Sequence, residues 1–122
     1  MIPSIDIDKV HGKSRRITVY LASQYTIGDP VENVERQILA GSYLMDEGFF
    51  PFMPLLFHHV HAVRPRSYES WCEQDNMWVL KCDALLRLPG PSKGADAEVE
   101  LAKANNIPVF YSLEDLINAR TT

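Results

Sequence analysis

Short, almost wholly apolar runs alternate with longer amphipathic segments along most of this chain, and that alternation limits the fold more than any other feature. The first run, ITVYLAS at residues 17–23, is continuous and β-branched, which is typical of a strand buried on both faces. Similar runs are FFPFMPLL at 49–56, CDALLRL at 82–88 and a short segment at 108–111. Strands of this kind separated by helices predict a parallel sheet with helices on both faces.

Punctuation residues mark the helices between these strands. The clearest helix has Asp29 as its N-cap, Pro30 at its first position, Glu32 completing a capping box and Gly48 as its stop. Its inward face is predicted to be Val31, Val34, Ile38 and Met45. Further helices are predicted at 68–81, after Gly94 and after Ser112, whereas 58–67 is predicted to be a loop. We therefore expect an α/β fold, a small doubly wound parallel sheet of four to five strands in a flavodoxin-like or Rossmann-like three-layer sandwich.

Length and composition narrow the class of protein. The 122 residues suit one domain, which we place at 17–122 after an N-terminal arm at 1–16. A net charge of -4 argues against a partner that is a nucleic acid polymer. We expect no membrane partner, because two prolines interrupt the apolar segment FFPFMPLLF at 49–57. Two cysteines and the lack of a signal-peptide pattern predict a cytoplasmic protein without a disulfide framework.

Two carboxylates lie on apolar helix faces. At about 100° per residue, Glu98 falls among Ala95, Val99, Leu101 and Ala102. In the preceding helix, Asp75 lies at the centre of a face formed by Tyr68, Trp71, Trp78, Val79 and Cys82. Either acid alone is equally well explained by a buried, hydrogen-bonded carboxylate. Two acids flanking one crevice favour function, because a pair of carboxylates with separate roles is what glycosidic bond cleavage requires.

Loops at the predicted carboxyl ends of the strands carry other candidate residues. The sequence SKG at 92–94 opens a helix, and such a helix start favours an anion such as phosphate, although an ordinary cap and turn explains it as well. Arg64 and Arg66 could grip a phosphate or simply be solvated, and Arg87 is placed to face the crevice. The run HHVH at 58–61 lacks the i, i+4 spacing of a zinc pair, so we predict no metal site.

The chain resembles the nucleoside 2-deoxyribosyltransferase superfamily in three segments, which are, in order, VYLASQYT, an aspartate in the helix before CDALL, and PGPSKGADAE. This superfamily includes 2'-deoxynucleoside 5'-monophosphate N-glycosidases. The resemblance runs from about Val19 to Leu116. It implies that Glu98 is the nucleophile, that Tyr20 holds its carboxylate and that Asp75 assists proton transfer to the leaving base. It further implies a substrate-binding role for a set of loop residues: Ala22, Ser23, Tyr25, Arg66, Ser92 and Gly94. The chain departs from the family at Ser23, where proline is frequent, and at Asn106, where glycine is usual.

The implied activity is that of an enzyme without a cofactor. Glu98 would form a covalent glycosyl intermediate with a nucleoside or nucleotide, and water or a second base would release it. Ser92 in place of an aspartate favours a 5'-monophosphate and hydrolysis. The resemblance also implies a homodimer or higher homo-oligomer, for which 112–116 and 49–57 are our candidate surfaces.

Two other functions remain open at this stage. The main alternative is a non-catalytic nucleotide sensor or accessory protein on the same fold, although phosphate binding alone would not require a carboxylate beside the sugar. The other is an unrelated flavodoxin-like domain. The loop LASQYT argues against it, because that loop has neither an acidic cluster nor a Ser/Thr-rich phosphate loop.

Overall fold

The computed structural model describes residues 16–120, so the predicted arm at 1–16 lies outside the described residues except for Arg16. In chain order the elements are β1 (Thr18–Ala22), α1 (Pro30–Asp46), β2 (Phe50–Phe52), a 3-10 turn (Pro54–Leu56), α2 (Phe57–Val63), α3 (Tyr68–Lys81), β3 (Ala84–Arg87), α4 (Lys93–Ala104), β4 (Val109–Phe110) and α5 (Leu113–Ala119). Among these residues, no helix has the length and apolar character needed to cross a bilayer.

The strands between residues 16 and 120 form one four-stranded parallel sheet in the order β2-β1-β3-β4, which confirms the predicted α/β class. From β1 the chain moves outward to β2 and then returns past β1 to β3 and β4. The strand order therefore reverses between β1 and β3. In open parallel sheets, ligands bind at the carboxyl ends of the strands beside such a reversal.

Side-chain alternation along β1 divides the core into two layers. Val19 and Leu21 pack with α1 and α5 on one face of the sheet, where Leu44 and Leu116 are fully buried. Tyr20 points to the opposite face, which α3 and α4 cover. This placement turns Tyr20 toward the two helices that carry Asp75 and Glu98.

Most of the predicted helix starts are confirmed. The Asp29 carboxylate accepts a hydrogen bond from the Val31 N–H at 2.9 Å, and Gly48 ends α1 with a φ of 87°. Glu32, predicted to complete a capping box, forms a surface ion pair with Arg36 at 3.9 Å. Asn106 adopts a φ of 61°, in the left-handed region that glycine favours and that asparagine also tolerates. This is the position at which the family that the sequence resembles usually has glycine.

The region after β2 corrects two predictions. The strand predicted at 49–56 covers only Phe50–Phe52, because Pro54 lacks an N–H and begins a 3-10 turn. The loop predicted at 58–67 is largely the helix α2. No glycine or proline interrupts residues 55–64, and the helix ends at Val63 because Arg64 precedes Pro65 and is extended.

The inward face of α1 is also not the predicted one. Val34 is buried as predicted, but Val31, Ile38 and Met45 are 55%, 38% and 60% exposed. The buried face is instead formed by Asn33, Val34, Gln37, Ala40, Gly41 and Leu44. The helix approaches the segment after β2 closely, since a Cβ on Gly41 would lie 2.3 Å from the Met53 sulfur. The polar members are buried because their amides bond the backbone around β1, as described below.

Candidate active site

Glu98 meets Tyr20 across the interface between α4 and the sheet. The hydroxyl of Tyr20, a fully buried side chain, donates a 2.7 Å hydrogen bond to Glu98 Oε2. Burial raises the pKa of Glu98 to about 7, with the Tyr20 hydrogen bond opposing the rise, nearby Asp75 adding to it and Arg87 again opposing it. Burial, together with the Glu98 and Asp75 charges, raises the pKa of Tyr20, so its hydroxyl stays protonated and remains a donor.

Asp75 approaches the same site from α3. Burial raises its pKa to about 6. Its Oδ1 atom is buried and has no hydrogen-bond partner. Because buried acceptors in proteins are usually satisfied, this oxygen is suited to a proton of its own or to a donor on a bound molecule.

Aromatic side chains form an apolar wall beside the two carboxyls. Phe52 stacks on Trp78 with ring centroids 4.6 Å apart and lies 5.8 Å from the Tyr20 ring. Phe57 stacks on Trp71 at 5.3 Å. Trp71 and Trp78 flank Asp75 on α3 as predicted, but Tyr68, predicted on the same face, is 72% exposed. This wall covers one side of the site, where burial raises both carboxyl pKa values.

The loop before Glu98 shows how the helix start is built. Ser92 is the N-cap of α4, and its Oγ accepts from the Ala95 N–H at 3.0 Å. Gly94 lies in the exposed first turn, where an added Cβ would meet no atom nearer than Ser92 Oγ at 3.9 Å. The fold itself therefore does not require glycine at 94, and the space beside its backbone is open.

Two buried amides that the sequence analysis missed hold the loop after β1. Asn33 Nδ2 donates to the carbonyls of Tyr25 and Ile27 at 2.8 Å, and its Oδ1 accepts from Gln24 at 3.0 Å. Gln37 donates to Leu21 O at 3.1 Å and to Ser23 Oγ at 2.8 Å. Ser23 is thus fixed by a hydrogen bond from the Gln37 side chain. The available signal was the placement of both amides on the face of α1 opposite its charged residues.

Other candidate residues take different positions. Ala22 is buried at the end of β1, and the Tyr25 hydroxyl contacts His58 Nδ1. Arg66 is exposed between α2 and α3, where its backbone N–H donates to His61 Nδ1 at 3.2 Å. The structure therefore brings Tyr20, Asp75 and Glu98 together and leaves Arg66 at the surface.

The histidines of α2 contact protein groups. His61 Nδ1 also accepts from the Trp71 indole at 2.8 Å, which ties α2 to α3. Within the described part of the chain, no three His, Cys, Asp or Glu side chains are grouped to hold a metal ion. Neither Cys72 nor Cys82 forms a disulfide bond.

Comparison with known proteins adds one finding about the fold. No family model matches the chain, and no curated protein does. Among solved structures, a 2-deoxyribosyltransferase from the psychrotolerant bacterium Bacillus psychrosaccharolyticus matches with a TM-score of 0.54 and 20% identity, covering 75% of this chain and 69% of that chain. This chain has the fold of that transferase. The likeness confirms the fold that the sequence resemblance implies.

Proposed function

We propose that this protein is an N-glycosidase that cleaves the base–sugar bond of a nucleoside or deoxynucleoside, or of its 5'-monophosphate. The observation that carries the proposal is the Glu98 carboxylate, held at 2.7 Å by a buried tyrosine hydroxyl beside a second carboxyl. The fold shared with a 2-deoxyribosyltransferase supports the same chemistry.

The proposed reaction has two steps. A Glu98 oxygen attacks the anomeric carbon, the bond from that carbon to the base nitrogen breaks, and protonated Asp75 gives its proton to the leaving base. Water then attacks the anomeric carbon of the glycosyl–Glu98 ester, Asp75 takes a proton from that water, and the Glu98 carboxylate leaves. A second base in place of water would give transfer. The residues of the site perform both steps without a cofactor.

A 5'-phosphate is the proposed group at the start of α4. The first N–H groups of this twelve-residue helix and the positive end of its dipole favour a bound anion. The open space beside Gly94 supports close approach of the sugar phosphate. Ala22, Ser23 and Tyr25 are proposed to contact the base, and Arg66 remains a proposed phosphate contact from the surface.

A substrate panel tests the proposal. We expect release of free base, measured by chromatography, from at least one deoxynucleoside, ribonucleoside or monophosphate. Glu98→Gln should abolish release, whereas Glu100→Gln, an exposed glutamate on the same helix, should not. Binding of a panel member at micromolar strength without any cleavage would favour the non-catalytic sensor.

A covalent trap tests the nucleophile directly. In a 2-fluoro-arabino nucleoside the fluorine slows both formation and breakdown of the glycosyl ester, and a good leaving base keeps formation the faster step, so the ester accumulates. We expect mass spectrometry to find the sugar on the peptide that contains Glu98. Labelling of another residue, or hydrolysis without any adduct, would contradict the two-step path.

We further propose a cytoplasmic homo-oligomer. Of the two surfaces predicted from the sequence, 49–57 exposes Phe50, whereas Leu116 of 112–116 is buried. The outer face of α1 offers stronger support, because it exposes Val31, Ile38 and Met45 at seven-residue spacing. Val31 and Met45 lie at equal distances on either side of Ile38. A second copy packed antiparallel about a two-fold axis would therefore place Val31 on Met45 and Ile38 on Ile38.

A further inference from the structure

Arg87 is the last residue of β3 and is buried at the carboxyl end of the sheet. Its Cα pairs with Ala22 of β1, and its side chain is 9% exposed. Alternation along β3 places it on the same face as Leu85, which packs with Tyr20 in the layer that holds α4. On this face the arginine cation lies close enough to Glu98 to oppose the rise of its pKa.

The guanidinium joins three segments. It donates to the carbonyl of Leu88, to the carbonyl of Gly90 at 2.8 Å and to Asp96 Oδ1 at 3.1 and 3.3 Å. Asp96 lies in the first turns of α4, between the cap Ser92 and Glu98. The planar guanidinium of Arg87, with its fixed fork of N–H donors, therefore holds together the end of β3, the turn that follows it and the start of α4.

Gly90 receives a second contact from the opposite side of the crevice. It has a φ of 121°, and a Cβ there would lie 2.2 Å from Gln24 Oε1. Gln24 is held in turn by Asn33. The turn at Gly90 is thus confined between the loop after β1 and the Arg87 side chain.

We propose that Arg87 is a positioning residue of this site. Its fork sets the place of the Ser92–Gly94 segment and of Glu98, and its charge favours the ionised form of Glu98. This role rests on the proposed function, since it supposes that Glu98 must be ionised to act. The groups facing Glu98 from the packed elements are Tyr20 of β1, Tyr68 and Asp75 of α3, and Arg87 of β3. Arg87 supplies the positive charge in that set.

Two substitutions separate the fork from the charge. Arg87→Lys keeps the charge but cannot span three acceptors in different segments, because an ammonium is a point donor. Arg87→Met removes both. The matched control is Arg36→Met, which removes an exposed arginine from a surface ion pair.

The first measurement does not depend on catalysis. Carbon-13 NMR of glutamate carboxyls, with Glu98 assigned through Glu98→Gln, follows the titration of Glu98 in each variant. We expect the midpoint to rise by roughly half a pH unit in Arg87→Met and to stay unchanged in Arg87→Lys and Arg36→Met. An unchanged midpoint in Arg87→Met would overturn the electrostatic part of the role.

The second measurement follows base release. We expect kcat/KM for the best monophosphate to fall at least about tenfold in Arg87→Lys, because the helix start is no longer held, with the Glu98 midpoint unchanged. Wild-type rates in Arg87→Lys would overturn the positioning part. If Arg87→Met does not fold, Asp96→Asn can replace it. That substitution weakens the contact between the guanidinium and the exposed Asp96 side chain, and it should also reduce kcat/KM. Failure of the proposed function would instead show as no base release by the wild-type protein, whatever the NMR midpoint does.

Discussion

The raised pKa of Glu98 affects the stability of the protein as well as its chemistry. Its ordinary value is 4.5, and the folded value is about 7. The folded state therefore holds a proton that the unfolded chain releases, so this group's contribution to stability is complete below about pH 4.5 and is lost as pH rises through 7. A shift of this size corresponds to roughly 3 to 4 kcal/mol at most.

Glu98→Gln is expected to stabilise the protein at alkaline pH. Glutamine keeps an acceptor for the Tyr20 hydroxyl and carries no charge to desolvate. Urea unfolding at pH 8 should show a gain of about 1–2 kcal/mol over wild type, and at pH 4.5 the difference should nearly vanish. Glu100→Gln, at an exposed position, should show no such pH-dependent gain. A Glu98→Gln protein less stable than wild type at pH 8 would contradict the raised pKa.

The two carboxyls are also expected to shape the pH–rate profile. The proposed first step needs one proton on the pair, on Asp75. The pKa values of about 6 for Asp75 and about 7 for Glu98 leave that proton mostly on Glu98, so the reactive form is the less populated of the two singly protonated forms. We therefore expect a bell-shaped dependence of kcat/KM on pH with a maximum at roughly pH 6.5. A profile that stays flat from pH 5 to 8 would contradict these assignments.

Asp75→Asn isolates the proton donor. The substitution should remove the alkaline limb of the bell and lower the rate about 10²–10⁴-fold for bases that need a proton to leave. A 7-methylguanine nucleoside is the matched control, because its base departs neutral without protonation. Its cleavage by Asp75→Asn should stay close to the wild-type rate. Equal losses on both substrates would assign Asp75 to a structural role.

At the scale of elements, α1 shows what a periodic pattern cannot predict. Apolar residues at 31, 38 and 45 suggested an inward face, yet the core side of the helix carries Asn33 and Gln37. Sequence patterns predict that polar amides face solvent. The sequence does not reveal that backbone groups of the loop after β1 lie opposite these two amides. The helix ends were predictable because caps act on neighbouring residues, whereas burial depends on distant ones.

Gln37 is expected to contribute more to stability than any exposed apolar residue of α1. It bonds Leu21 O and Ser23 Oγ and accepts from the Leu55 N–H at 2.9 Å, so Gln37→Leu would leave buried polar groups unpaired. We expect a loss of about 2–4 kcal/mol in the free energy of unfolding, measured with urea. Glu35→Leu, the same replacement at an exposed neighbouring position, should change it by less than about 0.5 kcal/mol. Comparable effects of the two would contradict the role of the amide.

At the scale of the whole molecule, the exposed face of α1 predicts self-association. Ile38→Glu would place two carboxylates against each other in the antiparallel pairing and should convert the assembly to monomers in sedimentation velocity. Ile27→Glu, an equally apolar exposed residue outside α1, should leave the sedimentation coefficient unchanged. A wild-type protein that sediments as a monomer at high micromolar concentration would contradict the assembly.

The residues of the candidate site could be predicted from the sequence where a charged side chain occurs on an otherwise apolar helix face. Glu98 and Asp75 stood out because charges interrupt apolar helix faces, and the structure places both near Tyr20. Their separate roles stay predictions. The sequence placed Arg87 at the crevice but did not show its acceptors, Leu88, Gly90 and Asp96. Asn33 and Gln37 gave a weaker signal, because the loop groups that they bond are brought opposite them only by the fold. The α2 helix was missed for a related reason, since histidine and arginine content suggested a loop while the backbone had nothing to interrupt a helix.

The hydrogen bond between Tyr20 and Glu98 joins residues 78 positions apart, and this separation has a consequence for synthesis. On the ribosome, β1, α1 and β2 emerge well before α4, so the tyrosine hydroxyl waits without its partner while more than half of the chain is made. A nascent chain that stops before α4 lacks Glu98, the nucleophile of the proposed reaction. Under that proposal, incomplete translation products of this protein should release no base.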